Sequence, residues 1–438
     1  MKSILTRLLL FIFQLFFFSG SGQEAALEVK PVVDSLNRKC TDYWYSDREL
    51  AYTIALQAYD LANEANYLKG KGAALNNIGN IHLFKGDYDK AIEKYFEAVE
   101  IFKSINYVDG IANCNNNIGL IYEYQGKYQE ALDLFMESIA IEIEQNDRDG
   151  MAISYNNIAS IYYYLGQYEE SLIHFNLSAD LYDELNDEKE KVSCLINIAA
   201  IYELQGKYEI AIEINEDVIR LSKKYENKHE EAMGLNNLGS NYLLMNQLEV
   251  SLKYFNKALV LRDEIGDKTG KSSTLKHIGK IHEKQRNFDL AIDYYFQSLK
   301  MSEELEDQRG IAETFTLIGE NLMEKGNFKS AMDYFYLSLG ISKDIGAQAE
   351  ILANYKQLTM AYSSSGEFDS AATYLDLFAS LKDSLSIGNI ENPRVKTIIS
   401  EPTVQEQLKH LSILRTALIL VSILVIMLII ILFIIKKK

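Results

Sequence analysis

The sequence predicts an all-α fold, a solenoid of stacked helix pairs followed by one C-terminal transmembrane helix. Three observations lead there. The chain has 438 residues and only three prolines, Pro31, Pro393 and Pro402, so residues 32–392 lack the residue that breaks helices. Within that stretch one pattern recurs without an insertion, the residue number rising by 40 from each copy to the next: Asn77-Ile78-Gly79, Asn117-Ile118-Gly119, Asn157-Ile158-Ala159, Asn197-Ile198-Ala199, Asn237-Leu238-Gly239, His277-Ile278-Gly279, Leu317-Ile318-Gly319 and Gln357-Leu358-Thr359. A fixed period of this size is the signature of a repeat array and takes precedence over any local assignment. The third observation is an uncharged run, Thr416–Ile435, directly before three terminal lysines.

From the N-terminus, residues 1–22 carry Lys2 and Arg7, then an apolar stretch from Leu8 to Phe18 interrupted only by Gln14, then Ser19-Gly20-Ser21-Gly22. This is the basic, apolar and small-residue order of a secretory signal, and the apolar part is too short to span a bilayer. Residues 30–66 are expected to form a degenerate capping repeat, because Ala51, Ala55, Ala58 and Leu61 fall in phase with the second helices downstream.

Residues 67–385 then hold eight repeats. Seven residues after each small residue stands Gly86, Gly126, Gly166, Gly206, Asn246, Arg286, Gly326 or Gly366, and two later an aromatic such as Tyr88, Tyr128 or Phe288, with Leu248 the exception. Glycine or asparagine there fits a left-handed helix cap. Next come Ala91, Ala131, Ser171, Ala211, Ser251, Ala291, Ala331 and Ala371, small enough to let two helices lie close. In the first copy this predicts one helix over about 72–84, a turn at Gly86 and a second helix over about 88–105. Neither helix buries its apolar face alone, so neighbours must stack.

Residues 386–410, with two of the prolines, are expected to be a juxtamembrane spacer. The span 411–435 is read as the membrane helix, since 20 uncharged residues at about 1.5 Å each cross a hydrocarbon core of roughly 30 Å. Lys436, Lys437 and Lys438 form a basic tail that belongs in the cytoplasm. Residues 23–410, with 38 basic against 62 acidic side chains, are then strongly acidic and extracytoplasmic.

In its small-residue, aromatic, turn-glycine and small-residue offsets, and in the further aromatics Tyr95, Phe135, Phe175, Phe255, Tyr295, Phe335 and Tyr374, the chain resembles the tetratricopeptide repeat family over roughly 47–385. The resemblance implies a right-handed superhelix of helix-turn-helix repeats. The 40-residue spacing is that of a long variety, with connectors such as Asp147-Arg148-Asp149-Gly150 and Asp307-Gln308-Arg309-Gly310. Departures are Arg286 at the turn, His82, His282 and Leu322 in place of a tyrosine, and Thr359 in the last repeat.

Most chemistry is excluded. A net charge of −18 without a basic stripe argues against nucleic acid. Gly266-Asp267-Lys268-Thr269-Gly270-Lys271-Ser272 has three residues between its glycines where a phosphate loop has four, and it occupies a connector position. The histidines His82, His174, His229, His277, His282 and His410 are scattered, so no metal site is expected. Cys114 and Cys194 lie two repeats apart, too far for a disulfide, and with Cys40 form no metal spacing. No nucleophile, base and oxyanion set is visible, so neither catalysis nor a cofactor is expected.

What remains is a ladder. Asn77, Asn117, Asn157, Asn197 and Asn237 recur once per repeat on the first helix, beside Asn76, Asn116, Asn156 and Asn236. Asparagine is a poor interior helix residue and needs a reason to be there. An amide both donates and accepts, so it reads a peptide unit without regard to side chain, and the resemblance places these asparagines where the family holds an extended peptide. The alternative is that they tie adjacent helices together. Along the same face lie Phe84, Glu123, Tyr124, Tyr163, Tyr164, Glu203, Leu204 and Leu244, an aromatic and acidic lining suited to a neutral or basic polypeptide partner. From His277 on the ladder stops.

The overall layout resembles bacterial envelope sensors, in which a signal sequence, tetratricopeptide repeats and one membrane helix precede an output domain. That implies a single-pass protein of the bacterial inner membrane, its repeats periplasmic and its C-terminus cytoplasmic, working with a separate histidine kinase or regulator. An envelope scaffold or chaperone-like assembly factor fits the same groove. A tail-anchored cytosolic co-chaperone fits only if 1–22 is not a signal.

Overall fold

The structure, a computed structural model, describes residues 22–44 and 47–387. The expected signal sequence up to residue 21, the spacer beyond 387, the membrane helix and the basic tail lie outside the described residues. Among the described residues there are eighteen α-helices and no strand, and no helix is long and apolar enough to cross a membrane. The chain divides into two compact units, one ending at Asp187 and the other beginning at Glu188, with Tyr164–Gly166 counted with the second.

The first unit comprises α1 Gly22–Thr41, α2 Arg48–Glu64, α3 Leu68–Lys85, α4 Tyr88–Ser104, α5 Val108–Tyr124, α6 Tyr128–Gln145, α7 Arg148–Tyr164 and α8 Tyr168–Glu184. The second comprises α9 Glu188–Leu204, α10 Tyr208–Lys224, α11 Lys228–Leu244, α12 Leu248–Ile265, α13 Lys268–Lys284, α14 Phe288–Glu304, α15 Gln308–Glu324, α16 Phe328–Asp344, α17 Gln348–Ser365 and α18 Phe368–Ile387. The first repeat's helices are those expected, the first of them starting one turn earlier at Leu68.

Each repeat is built from two equal halves. Left-handed residues recur at Asn66, Gly86, Asn106, Gly126, Asn146, Gly166, Asn186 and Gly206, and onward through Glu226, Asn246, Gly266, Arg286, Glu306, Gly326, Gly346 and Gly366. At Gly86 the amide donates to the Leu83 carbonyl at 3.0 Å and the Asp87 amide to the His82 carbonyl at 2.9 Å, satisfying carbonyls that the helix end would orphan. The same six-residue closure returns at Tyr107 to Phe102 and at Lys127 to Tyr122. The turn at Arg286, a departure in sequence, is no departure in backbone, with φ at +62°.

The D-x-x-G connectors cap the helix that follows. Asp147, Asp267 and Asp307 accept from the amides of Gly150, Gly270 and Gly310 at 3.1, 2.8 and 3.0 Å, which satisfies a free N–H of the first turn. A Cβ at Gly270 would meet the Asp267 carboxylate at 2.1 Å, so glycine keeps that cap short.

Most pairs are closed by a ring set against a glycine. A Cβ at Gly79, Gly119, Gly239, Gly279 or Gly319 would come within 2.8 Å of Tyr95, Phe135, Phe255, Tyr295 or Phe335, each 0% exposed. Ala159 still stands opposite the buried Phe175. Where the small residue is Ala199 or Thr359, however, the ring position holds the smaller Asn215 or Leu375. Tyr374 therefore stands one residue off the ring position in the last repeat, and its ring stacks on Tyr362 at 5.7 Å.

Successive first helices touch one another within each unit, α1 on α3 on α5 and α9 on α11 on α13 on α15 on α17. They form a continuous wall in each unit, and the ladder residues stand on it.

Two kinds of substitution separate backbone strain from packing. Gly206→Ala meets no atom within 4 Å yet must keep φ at +72°, so it should cost about 1–2 kcal/mol, whereas Arg286→Gly should return a similar amount. Gly279→Ala should cost about 1–3 kcal/mol by forcing the Tyr295 ring aside. Urea unfolding of the three variants reads all three signs, and an unchanged or lowered midpoint for Arg286→Gly would contradict the left-handed turn.

Candidate functional site

The ladder splits by what each amide finds. In the first unit Asn77 is 6% exposed and its Nδ2 donates to the Asn37 carbonyl at 3.1 Å and to the Asn37 Oδ1 at 3.2 Å. Asn117 donates to the Asn76 Oδ1 at 3.0 Å, which also accepts from the Cys114 thiol. Both bonds reach back to the preceding first helix. Asn37, one full period before Asn77, is thus a further rung on α1, and its own Nδ2 donates to the Gly70 carbonyl at 3.0 Å. The sequence signal for it was the period itself, extended one step into the capping pair.

Asn157 is different. It is 8% exposed, and its amide makes no hydrogen bond among the described residues. The partner that Asn117 finds in Asn76 would here be Asn116, but both ends of that amide are committed inward. Its Nδ2 donates to the Glu142 Oε1 at 3.2 Å and to the Ser154 Oγ at 3.0 Å, while its Oδ1 lies 3.2 Å from the same hydroxyl. Glu142, only 3% exposed, sits where the other second helices carry Phe102, Tyr182, Ser222, Arg262, Ser302 and Ser342. Burial pushes its carboxyl up, opposed by the bonds from Ser154 and Asn116. One buried acid thereby leaves Asn157 open.

In the second unit Asn197 and Asn237 are half-buried, and their side-chain amides likewise make no hydrogen bond among the described residues. For Asn237 the reason is plain, because Ile196 occupies the position that Asn76 fills for Asn117.

The lining sorts in the same way. In the first unit Phe84 packs beside Trp44 with ring centroids 6.2 Å apart, Tyr124 is 64% exposed and stacks on Tyr88 at 6.1 Å, and Tyr163 leans on Tyr168 at 5.9 Å. Glu123 is half-buried and makes no hydrogen bond or ion pair among the described residues. Burial pushes its carboxyl up to about 7. In the second unit Glu203, at the equivalent position, accepts from the Ser240 Oγ at 3.1 Å and the Asn241 Nδ2 at 3.0 Å. Burial raises that carboxyl too, and the Ser240 bond opposes it. Tyr164, Leu204 and Leu244 are exposed.

Beyond Asn237 the wall closes on itself. His277 stacks face to face on Phe255 at 5.0 Å, and burial pushes its imidazole down to about 4, so it is neutral. Lys276 pairs with Glu313 at 2.8 Å, Lys280 with Glu283 at 2.6 Å, and Gln357 donates to Glu320 at 2.5 Å. Burial works against the Lys280 charge, but Glu320 and Glu283 outweigh it and raise its pKa. Among the described residues no group of three histidine, cysteine or carboxylate side chains is arranged to hold a metal ion.

An array of helix pairs locked by rings against small residues, with a first-helix wall of amides, defines a helical-repeat protein. The sequence profile described as tetratricopeptide repeat matches residues 70–142, 150–224 and 230–304, just over half of the chain, and the protein belongs to the tetratricopeptide repeat family. The apo form of the quorum sensor NprR from B. thuringiensis is similar in fold at 18% identity, covering 81% of this chain and 99% of its own, with a TM-score of 0.61. A Rap protein complexed with competence and sporulation factor aligns at 15% identity over 81% of this chain and 99% of its own, with a TM-score of 0.57. Aspartyl phosphate phosphatase F from Bacillus subtilis does so at 17% identity over 80% and 94%, with a TM-score of 0.54. At these identities the likeness is one of fold. No curated protein matches the chain in sequence.

The tied and the open rung should respond differently to truncation. Asn77→Ala removes a buried bond between first helices and should cost about 0.5–1.5 kcal/mol, while Asn157→Ala should stay within about 0.5 kcal/mol of the parent in urea unfolding. Glu123 gives a pH signature. Its folded-state pKa of about 7 lies above the ordinary value of 4.5, so the folded protein holds this proton more tightly than the unfolded chain. Its contribution to stability is fully present below the ordinary value and is lost as pH rises through about 7. Glu123→Gln should flatten the melting temperature between about pH 5 and 8; an unaltered pH profile would mean that the carboxyl is ordinary.

Proposed function

We propose that this protein is a non-catalytic binding protein that captures extended polypeptide along the first-helix walls of its repeats. The observation that carries this is the set of unpartnered amides, Asn157 in the first unit and Asn197 and Asn237 in the second. These amides are unbonded yet not sealed from solvent, so each keeps its donor and acceptor open to an arriving ligand. Peptide backbone supplies both a donor and an acceptor at each unit. Two proteins of similar fold point the same way, one a Rap protein complexed with competence and sporulation factor and the other a Rap conjugation gene regulator in complex with the Phr* peptide.

The setting we propose is the bacterial inner membrane. Residues 1–22 export the chain, 411–435 anchor it, and the repeats lie in the periplasm as a sensor ectodomain whose output rests with a separate histidine kinase or regulator. The charges at the two ends support one orientation, Lys2 and Arg7 on one side and Lys436 to Lys438 on the same side.

The binding reading is tested by pulldown with the full chain in detergent followed by titration of the recovered polypeptide. Asn157→Ala and Asn197→Ala should each weaken it by about 0.5–1.5 kcal/mol while helicity stays unchanged. Recovery of a small solute alone, bound equally by both variants, would end the polypeptide reading. For the setting, an alkaline phosphatase fusion at Ser386 should be active and one after Lys438 inactive. The reverse pattern would place the repeats in the cytoplasm.

A further inference from the structure

Three glutamates occupy one wall position, each two periods from the next: Glu123, Glu203 and Glu283. Glu203 reaches forward to the next first helix and is held by Ser240 and Asn241. Glu283 is held by the Lys280 ammonium at 2.6 Å and by the Tyr295 hydroxyl at 3.0 Å. Glu123 has neither kind of partner, and the sequence explains why. Ile161 stands where Asn241 stands, and the Ser160 hydroxyl, which could have served as Ser240 does, donates instead to the Asn156 carbonyl at 3.1 Å. Leu120, in the place of Lys280, brings no charge.

A half-buried carboxylate without a donor has lost part of its hydration and gained no partner, and a cation is what relieves it. A second, independent vacancy faces the same seam between α5 and α7. Asn157 occupies on α7 the position from which Asn117 reaches back to its preceding first helix, and it is more than nine-tenths buried without a hydrogen-bond partner among the described residues. Next to Glu123 in the chain, Tyr124 is 64% exposed, its ring stacked on Tyr88 of α4.

We infer that the α5–α7 seam of the first unit is a specificity pocket for a basic side chain of the bound polypeptide, lysine or arginine, whose cation pairs with the Glu123 carboxylate while the adjoining peptide unit bonds the Asn157 amide. This rests on the polypeptide reading above and deepens it by naming the residue class that one seam selects. Glu203 and Glu283 share the position but have their donors inside the protein, so the selection belongs to Glu123.

The test is selection from a random heptapeptide library, flanked by neutral Gly-Ser linkers, against the full chain in detergent. Wild type should enrich peptides with lysine or arginine at one fixed position, and Glu123→Gln should lose that enrichment while keeping the rest of the pattern. For a selected peptide, changing its basic residue to norleucine should weaken binding about tenfold to wild type and less than twofold to Glu123→Gln, while Glu203→Gln keeps the tenfold difference. Glu123→Gln should melt no lower than wild type, as expected if the charge serves a ligand and not the fold; a lower melting point together with retained basic preference would make it a structural residue. Enrichment without a basic position, or a basic position that survives Glu123→Gln, overturns this inference and leaves the polypeptide reading standing. Failure of any sequence to enrich over blank resin overturns both.

Discussion

The fold depends on one backbone constraint, a left-handed residue at the end of each helix from α2 to α17. Each helix has room for only about five turns before the chain reverses, and the reversal is closed by the same pair of amide-to-carbonyl bonds, as at Gly86 and Asp87. Because helix lengths are fixed this way, a given position returns to the same height on the wall in every repeat. That is what allows Asn77 to meet Asn37 and Asn117 to meet Asn76. A one-residue insertion in a first helix would turn the wall side chains that follow it in that helix by about 100°.

On this frame the packing is local and self-compensating. The ring of Tyr95 fills the space left by Gly79, and where the ring becomes Asn215 the glycine becomes Ala199. A second compensation joins successive repeats. Phe102, Glu142 and Arg262 project from second helices toward Gly110, Gly150 and Gly270, whereas Ser222 and Ser342 are matched in sequence by the larger Glu230 and Glu350. In these five repeats the volume is shared between two positions on consecutive helices, while Ser302 with Gly310 and Tyr182 with Glu190 depart from that pattern. Exposed ion pairs along one rim, among them Lys228 with Glu264 at 2.9 Å and Lys268 with Glu304 at 2.7 Å, add little beside this burial.

Much of the architecture was legible because the determinants are single residues at fixed offsets. The glycines at Gly86 and Gly279, the rings and the period each announce themselves in the linear sequence. The second turn of each repeat is marked unevenly, since its left-handed position holds asparagine at Asn66, Asn106, Asn146 and Asn186 and then Glu226, Gly266, Glu306 and Gly346. For the site, the position of the ladder could be read but the state of each rung could not. Asn117 and Asn157 sit in nearly identical local sequences, yet one is tied and the other is free. What separates them is Glu142, on the second helix between them, which claims Asn116 for the interior. Competition between three side chains from three helices leaves no periodic trace.

That competition has a counterpart in the second unit, and the comparison explains where the wall changes character. Arg262 occupies the Glu142 position, buried and hydrogen-bonded to the Thr274 hydroxyl at 2.7 Å, and that hydroxyl in turn donates to the Asn236 Oδ1 at 3.1 Å. Asn236 is thus committed inward much as Asn116 is. The rung it would have served is His277, and here the opening is filled by the protein itself, because the imidazole lies flat on Phe255 and stays neutral. Past it, Lys276, Lys280, Glu313 and Glu320 satisfy one another across successive first helices. A wall whose polar groups are already paired has nothing to offer a peptide unit, since binding would only exchange one set of bonds for another. The same buried-charge device therefore has opposite outcomes in the two units: with an asparagine at the next rung it exposes an unpaired amide, and with a histidine it permits an aromatic stack that seals the wall.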